Sequence, residues 1–476
     1  MSRKVIVLEL NELSPELLDR FIAQGELPNF KRLRDQSIVA VTDAEEAPPN
    51  LEPWIQWVTV HTGLTYGEHK VFDLDDGHKL TAPRIWDVVS DAGEPVWVCG
   101  SMNAALKGGK VNGWFVPDPW SSGVKPYPEK ALSPFFRFVQ TYVQEHSRTD
   151  VPLSKLDHAR FAAFMIANGL SAKTVQDTIL QLTSQLGRKN RWRRAAILDR
   201  LQWDLFRAQY RRLQPTFATF FANSTAHYQH YHWREWEPEH FAVQSAPEDV
   251  EAYADAIPFG YRKMDELVGE CLQLAGPDTT VVLCTALSQE PCVKYEGEGG
   301  KKQFRCRDVD QLTQLAGVTD AYHYAPVMAE EFHLRFADEA AAERACERLA
   351  ALRTDEGQPL MRARREGEGL LLGCAVTQPP PGEALIRSSL HNQTASFHEL
   401  FYPIEGLKSG WHHPDGVLWI RTPSKRHAEI ARKVSLTELA PTFLALCGLP
   451  PSKVFAKPAL PEVSEAVGAS ALAEVA

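Results

Sequence analysis

Thr216-Phe-Ala-Thr-Phe-Phe-Ala222, an apolar and β-prone run, leads straight into Asn223-Ser-Thr-Ala-His-Tyr-Gln-His-Tyr-His-Trp233. The first half reads as a buried strand and the second as the loop at its carboxyl end. Carboxyl ends of strands are where open α/β sheets bind their ligands. Three imidazoles, His227, His230 and His232, therefore stand beside Asn223, Ser224 and Thr225 at a place suited to chemistry. Imidazole is the commonest metal ligand and proton shuttle near neutral pH. The competing reading is a loop whose rings pack on one another, since spacings of three and two carry no metal signature. A second pair, His412-His413, occurs far downstream.

The chain on either side of this stretch alternates between strand and helix. Lys4-Val-Ile-Val-Leu-Glu9 reads as a buried parallel strand, because both of its faces are apolar. Ser14-Pro15-Glu16 opens a helix with a hydroxyl cap, a proline and an acid in the first turn. Ser37 to Thr42 and Val96 to Cys99 read as further strands, and Ile85 to Gly93 as a helix with its glycine stop. Thr279 to Thr285 is a strongly apolar strand followed by the loop Ala286-Leu-Ser-Gln-Glu-Pro291, and Glu248 to Leu274 is one long helix. This alternation predicts a doubly wound α/β fold with a mostly parallel central sheet.

Two insertions interrupt it. Residues 119–214 lack strand signals and carry Phe, Leu, Arg and Gln at helical spacing, which predicts a helical cap over the active-site edge. The basic run Arg188 to Arg194 in this segment is either a solvated face or a contact for an anion. Residues 323–376 read as a small αβ insertion, and Glu296 to Lys302 as a mobile loop. The core is thus expected in three parts, 1–118, 215–322 and 377–460, with a frayed tail at 461–476.

A net charge of -10 argues against a general nucleic-acid binder. No apolar run approaches the ~20 residues that span a bilayer. Eight scattered cysteines in mostly apolar segments suit reduced thiols and a cytoplasmic setting.

With these elements in order, the chain resembles the alkaline-phosphatase superfamily, in its type I phosphodiesterase/nucleotide pyrophosphatase branch. The matching landmarks are Val5 to Leu13, Gly25-Glu-Leu-Pro-Asn29, Trp57 to Gly63 with Gly67-Glu-His69, Asn223 to Trp233, Thr279 to Gln289, and His412 to Gly416 followed by Leu439 to Thr442 and Leu446 to Pro450. The resemblance implies two divalent metals at the sheet edge and a hydroxyl nucleophile. The residues implied by it are largely replaced. The first metal aspartate falls on Asn11, the nucleophile on Glu52, the loop aspartate on Ala226, and an Asp-His pair on Ala286 and Leu287. Two histidines survive, His230 and His412.

The resulting expectation is a rebuilt site. His230 and His412 are the metal ligands, completed by Glu52 as a two-histidine, one-carboxylate set suited to Zn, Fe or Mn. Glu52, His227 and Glu290 are the catalytic candidates, and Glu9, Asn11, Asn223 and His413 the substrate-binding ones. The cofactor is one divalent metal or none. The function is that of a hydrolase or transferase acting on a small phosphate or sulfate ester, or a glycan-like substrate. The alternative is a pseudoenzyme that keeps the fold to bind a phosphorylated or glycan-like ligand or a partner protein.

Overall fold

The computed structural model describes residues 3–463 except 122, 145–152, 185–191, 328–329, 391–392 and 405. Six strands that run in one direction form most of the central sheet: β1 (Val5–Leu10), β2 (Ile38–Asp43), β3 (Val96–Cys99), β4 (Gly113–Val116), β5 (Phe217–Ala222) and β6 (Thr280–Cys284). The strand Asp415–Arg421 runs against them, inserted between β2 and β6. From that point the order is β6, β1, β5, β3, β4, and the short Ala428–Glu429 strand closes the other edge beside β2. The mostly parallel doubly wound fold read from the alternation is the fold observed.

Side chains of β1 alternate between two cores, as a period of two requires. Ile6, Leu8 and Leu10 meet the helices Pro15–Ala23, Arg194–Leu213 and Ala256–Ala275. Val5 and Val7 meet Pro53–Thr62, Ile85–Asp91 and Leu439–Leu446 on the opposite face. Being covered twice, β1 is buried along its whole length. The eight cysteines are all unpaired. Among the described residues, no helix is long and apolar enough to cross a membrane.

The stretch after β5 is a helix, Ser224–Trp236, and not the expected loop. Its β-branched and aromatic content disfavours helix only weakly, by tenths of a kcal/mol per residue. Packing overrides that: Tyr228 and Trp233 are buried in the first core, and Asp199 accepts the backbone N–H groups of Asn223 (3.3 Å) and Ser224 (3.0 Å) at the helix start. Glu248 to Leu274 is likewise two helices, Pro247–Tyr253 and Ala256–Ala275. Pro258 has no N–H to give to Ala254, so it sits in the first turn of the second helix, where none is needed.

The helical segment 119–214 contributes Glu129–Gln144, Lys155–Ala167, Ala172–Ser184 and Arg194–Leu213. The last of these lies along the sheet, with Trp203 and Phe206 against Phe220 at ring distances of 5.0 and 5.4 Å. It meets the carboxyl edge through Asp199. Most of the basic run, residues 188–191, lies outside the described residues; Trp192 is buried against Tyr228. Of the tail, 464–476 lies outside them too, while Val463 is buried.

The small αβ unit is wider than 323–376. Its four-stranded antiparallel sheet (Met361–Glu366, Gly369–Cys374, Phe332–Phe336, Tyr322–Pro326) shares one core with Phe304, Leu312, Ile386, Phe397 and Phe401. It docks on the main body through His333 Nε2 to Asp73 Oδ2 (2.9 Å) and Arg364 Nη2 to Asn50 Oδ1 (3.0 Å). The Glu296 to Lys302 loop is anchored, since Glu296 accepts both Arg234 Nη2 (2.7 Å) and the Val243 N–H (2.7 Å).

Two outcomes follow from carboxylates that hold this frame. Asp265 accepts Asn29 N, Phe30 N and Asn29 Nδ2 at 2.8–2.9 Å, capping the helix Pro28–Arg34. D265A removes three such bonds and is expected to lower stability by about 2–3 kcal/mol in urea unfolding; a loss under about 0.5 kcal/mol would remove the cap from the account. Asp199 is pushed up to about 6 by burial, against the pull of the N–H groups it accepts. A raised carboxyl stabilises fully below its unfolded value and loses that contribution as pH climbs through 6. D199N should therefore gain on the wild type by on the order of 2 kcal/mol between pH 4 and pH 8; a constant difference across that range excludes the linkage.

Candidate active site

Four backbone elements converge at the carboxyl end of β1. Asn11 continues the β1–β5 ladder, donating its N–H to Ala222 O at 2.9 Å. Glu12 then turns into a left-handed backbone conformation, φ 60°, uncommon for a residue with a Cβ. The turn is held by Gln229 Nε2, which donates to Glu12 O at 2.8 Å, and Gln229 is held in turn by the Tyr261 hydroxyl. The effect is to drive the Glu12 side chain inward, where it is 0% exposed.

Two histidines meet it there. His230 comes from the helix after β5. His412 comes from the strand Gly410–His413, which pairs with Ser288–Pro291, so the segment expected to be a loop after β6 is a short strand. The rings of His230 and His412 are 5.2 Å apart at 75°. Glu12 Oε2 lies 3.2 Å from His230 Nε2 and 3.5 Å from His412 Nε2. The far nitrogens face carbonyls: His412 Nδ1 is 3.0 Å from Leu51 O, and His230 Nδ1 is 3.4 Å from Gly410 O. Those contacts set Nδ1 of each ring toward a carbonyl and turn both Nε2 atoms toward the carboxylate. Burial would raise the Glu12 carboxyl, but His230 and His412 outweigh it and hold it down at about 2. Burial pushes His412 down to about 3 despite the Glu12 charge.

Amides fix the carboxylate from behind. Asn11 Nδ2 donates to Glu12 Oε1 (2.8 Å) and to Asn223 Oδ1 (2.8 Å), while Asn11 Oδ1 accepts Trp57 Nε1 (2.8 Å). Gln289 Nε2 bridges Glu12 Oε2 and Ala226 O. Glu12, His230 and His412 are the cluster whose ligand atoms all lie within 4.8 Å of one another at this end of the sheet.

Glu52 sits at the start of the helix Pro53–Thr62 without capping it, its Oε2 3.3 Å from His412 Nδ1. Burial first, then the Glu331 carboxylate, raise its carboxyl well above the usual range. Glu52 thus belongs to the site, but on the outer side of His412. The carboxylate between the two histidines is Glu12, which the sequence reading did not single out. Its position one residue past Asn11, at the end of an apolar strand, was the signal available.

Other expected residues fall elsewhere. Glu9 is buried under the helix Pro53–Thr62, with Oε1 2.9 Å from His61 Nε2, because its place in β1 points it into the second core. In the paired strands Gln289 faces His412, so Glu290 and His413, each one residue away, point to the other side. Glu290 is exposed and His413 Nδ1 accepts the Asp415 N–H at 3.2 Å. His227 is exposed one turn before His230, its ring 5.0 Å from Tyr231. His232 stacks on Tyr253 at 4.5 Å, away from the site. Asn11 and Asn223 lie where expected, as part of the wall. Ala286 and Leu287 are fully buried in the second core.

Solved structures with similar architecture include phosphonoacetate hydrolase from Sinorhizobium meliloti 1021 in complex with phosphonoformate (14% identity, 94% of this chain and 95% of that one, TM-score 0.41). They also include the alkaline phosphatase PafA (12% identity, 96% and 98%, TM-score 0.46) and human ectonucleotide pyrophosphatase/phosphodiesterase 5 (8% identity, 97% and 99%, TM-score 0.46). A comparison with curated proteins finds none that matches in sequence. The profile of one family, type I phosphodiesterase/nucleotide pyrophosphatase, matches residues 5–353, from β1 through the site helix and well into the small αβ unit. The chain belongs to the type I phosphodiesterase/nucleotide pyrophosphatase family.

Proposed function

We propose that this protein is a hydrolase or transferase of small phosphate or sulfate esters, working with at most one divalent metal held by Glu12, His230 and His412. The observation that carries the reading is the convergence of three possible ligand atoms, Glu12 Oε2 and two Nε2 nitrogens, within 4.8 Å of one another around a buried carboxylate. A divalent cation shared among the three would be held by all of them at once. His412 Nε2 is buried without a hydrogen-bond partner, as a metal ligand would be. Two imidazoles and one carboxylate suit Zn or Fe(II), and the carbonyls behind Nδ1 orient the rings as outer partners of a metal site do.

A metal there supplies Lewis-acid polarisation of an ester oxygen and a more acidic bound water. The chain's own groups do the rest. Glu52, at the head of its helix and beside His412, has its carboxyl raised by burial and by Glu331, which suits it to exchange a proton with the attacking or leaving group. Asn11 and Asn223 lock Glu12 in one rotamer. Ala286 and Leu287 offer no donor for a second ion, and burying one beside them without anionic ligands costs several kcal/mol. The competing reading, a protein that keeps the fold to bind a phosphorylated or glycan-like ligand or a partner protein, draws on a different fact: Leu51, Glu52 and Pro53 provide no hydroxyl nucleophile.

Elemental analysis after dialysis is expected to find one equivalent of Zn, Fe or Mn per chain. E12Q, H230A and H412A should each lower metal affinity at least ~10-fold, and cut turnover across nitrophenyl phosphate, phosphodiester and sulfate substrates in parallel. T59A should leave both within about twofold, because that hydroxyl is buried against His69 Nε2 at 3.3 Å. Two tightly held equivalents, with turnover lost in T59A, would sink the single-metal reading. Metal held without turnover on any ester would favour the binding protein.

A further inference from the structure

The strand that delivers His412 carries a second cluster on its other side. Two ammonium groups lie close to the Trp411 ring, Lys408 Nζ at 4.8 Å and Lys294 Nζ at 5.3 Å from its centroid. Tyr295, 6.4 Å from Trp411, lies 5.6 Å from Lys294 Nζ and 5.7 Å from Lys301 Nζ. Lys301 is only 5% exposed and is paired with Glu330 Oε1 at 2.9 Å, an oxygen that also accepts Arg362 Nη2 at 2.6 Å. Most lysines elsewhere that come near a carboxylate are paired to it, as Lys31 is to Asp35 and Lys173 to Glu266. Lys294 and Lys408 have no such partner among the described residues; the aromatic rings hold them in place.

Three cations, Lys301, Lys408 and Arg362, therefore face the carboxylates of Glu330 and Glu331, and Lys294 joins the cluster at Tyr295 and Trp411, in a chain whose net charge is -10. The crowding is felt at Lys301, whose ammonium is lowered by burial and then by Arg362 and Lys408, against Glu330. The cluster is also tied to the site. Lys408 N donates to Lys301 O (2.9 Å), and the next residue, Ser409, donates its N–H to His230 O (2.7 Å). Lys408 is close enough to be felt by both Glu52 and His412.

We propose that Lys294 and Lys408, propped on Trp411 and Tyr295, form a subsite for a second phosphate or sulfate group carried by the substrate beyond the ester that reacts. This rests on the reading of the Glu12–His230–His412 site as ester-processing. Contact with the aromatic faces restricts the two ammonium groups, which lowers the cost of immobilising their side chains on an anion. The substrate class is then a bis-anionic ester, and mono-anionic esters should be bound less tightly.

The test is calorimetric binding to the full chain, with glucose 1,6-bisphosphate, glucose 6-phosphate and inorganic phosphate as probes. The bisphosphate should bind at least ~10-fold tighter than the monophosphate, one charge-assisted contact's worth. K294M/K408M, which keeps the aliphatic stems, should erase that advantage without lowering the melting temperature. Equal affinities for the two sugars, or an advantage kept in the double variant, overturns the subsite. Inorganic phosphate binding as tightly as the bisphosphate, and lost in the same variant, overturns its being substrate-borne. Binding is read without turnover. An advantage that persists in H412A, with no ester cleaved by the wild type, would therefore count against the ester-processing reading and for the subsite.

Discussion

A fully buried carboxylate facing two imidazoles is the constraint around which the carboxyl edge of this sheet is built. Among the described residues Glu12 has no arginine or lysine partner; its charge is answered by amide N–H groups from Asn11 and Gln289 and by His230 and His412. Leaving a carboxylate so placed without a cation costs several kcal/mol. The surrounding residues make it hard for Glu12 to turn away. Its backbone is fixed at positive φ by Gln229, and its rotamer is fixed by Asn11, whose remaining polar atoms are taken up by Trp57 and Asn223.

The same network explains why segments distant in sequence come together. Asn223 ends β5, Trp57 lies on the helix of the opposite core, and Gln289 and His412 face each other across a two-stranded ladder. Ser409 N and Gly410 O both engage His230, so the incoming strand and the site helix are joined by backbone as well as by rings. Each of these contacts is one residue away from a position that points elsewhere. That is why Glu290 and His413, adjacent to Gln289 and His412, have no part in the pocket.

Much of the fold was legible because it rests on local periodicity. The buried runs of β1, β5 and β6 and the helices of residues 119–214 follow from apolar spacing alone. The site helix was not legible: Asn223 to Trp233 has weak helical propensity, and its N-terminal N–H groups are capped by Asp199, which no local pattern announces. The pairing of His230 with His412 was legible only through the family resemblance. The carboxylate between them was not, since a reading by aligned position stops at Asn11, whereas the chain reaches the site with the residue after it.

That one-residue offset bears on how the site differs from the pattern its family resemblance implies. Ala226 and His230 are four apart on one helix, so an aspartate at 226 would present its carboxylate beside the His230 ring from the same helix face. In this chain the small alanine side chain leaves room, and Ala226 O accepts Gln289 Nε2, which also donates to Glu12. The carboxylate reaches His230 from the end of β1 instead. Glutamate is one methylene longer than aspartate, and the left-handed turn at residue 12 aims it across the strand gap. The charge beside His230 and His412 is thus supplied from a different strand, whereas nothing comparable is supplied beside Ala286 and Leu287, which remain sealed in the second core. Among the described residues, the carboxylate that joins the two histidines is supplied on one side of the pocket, from the end of β1 rather than from the site helix.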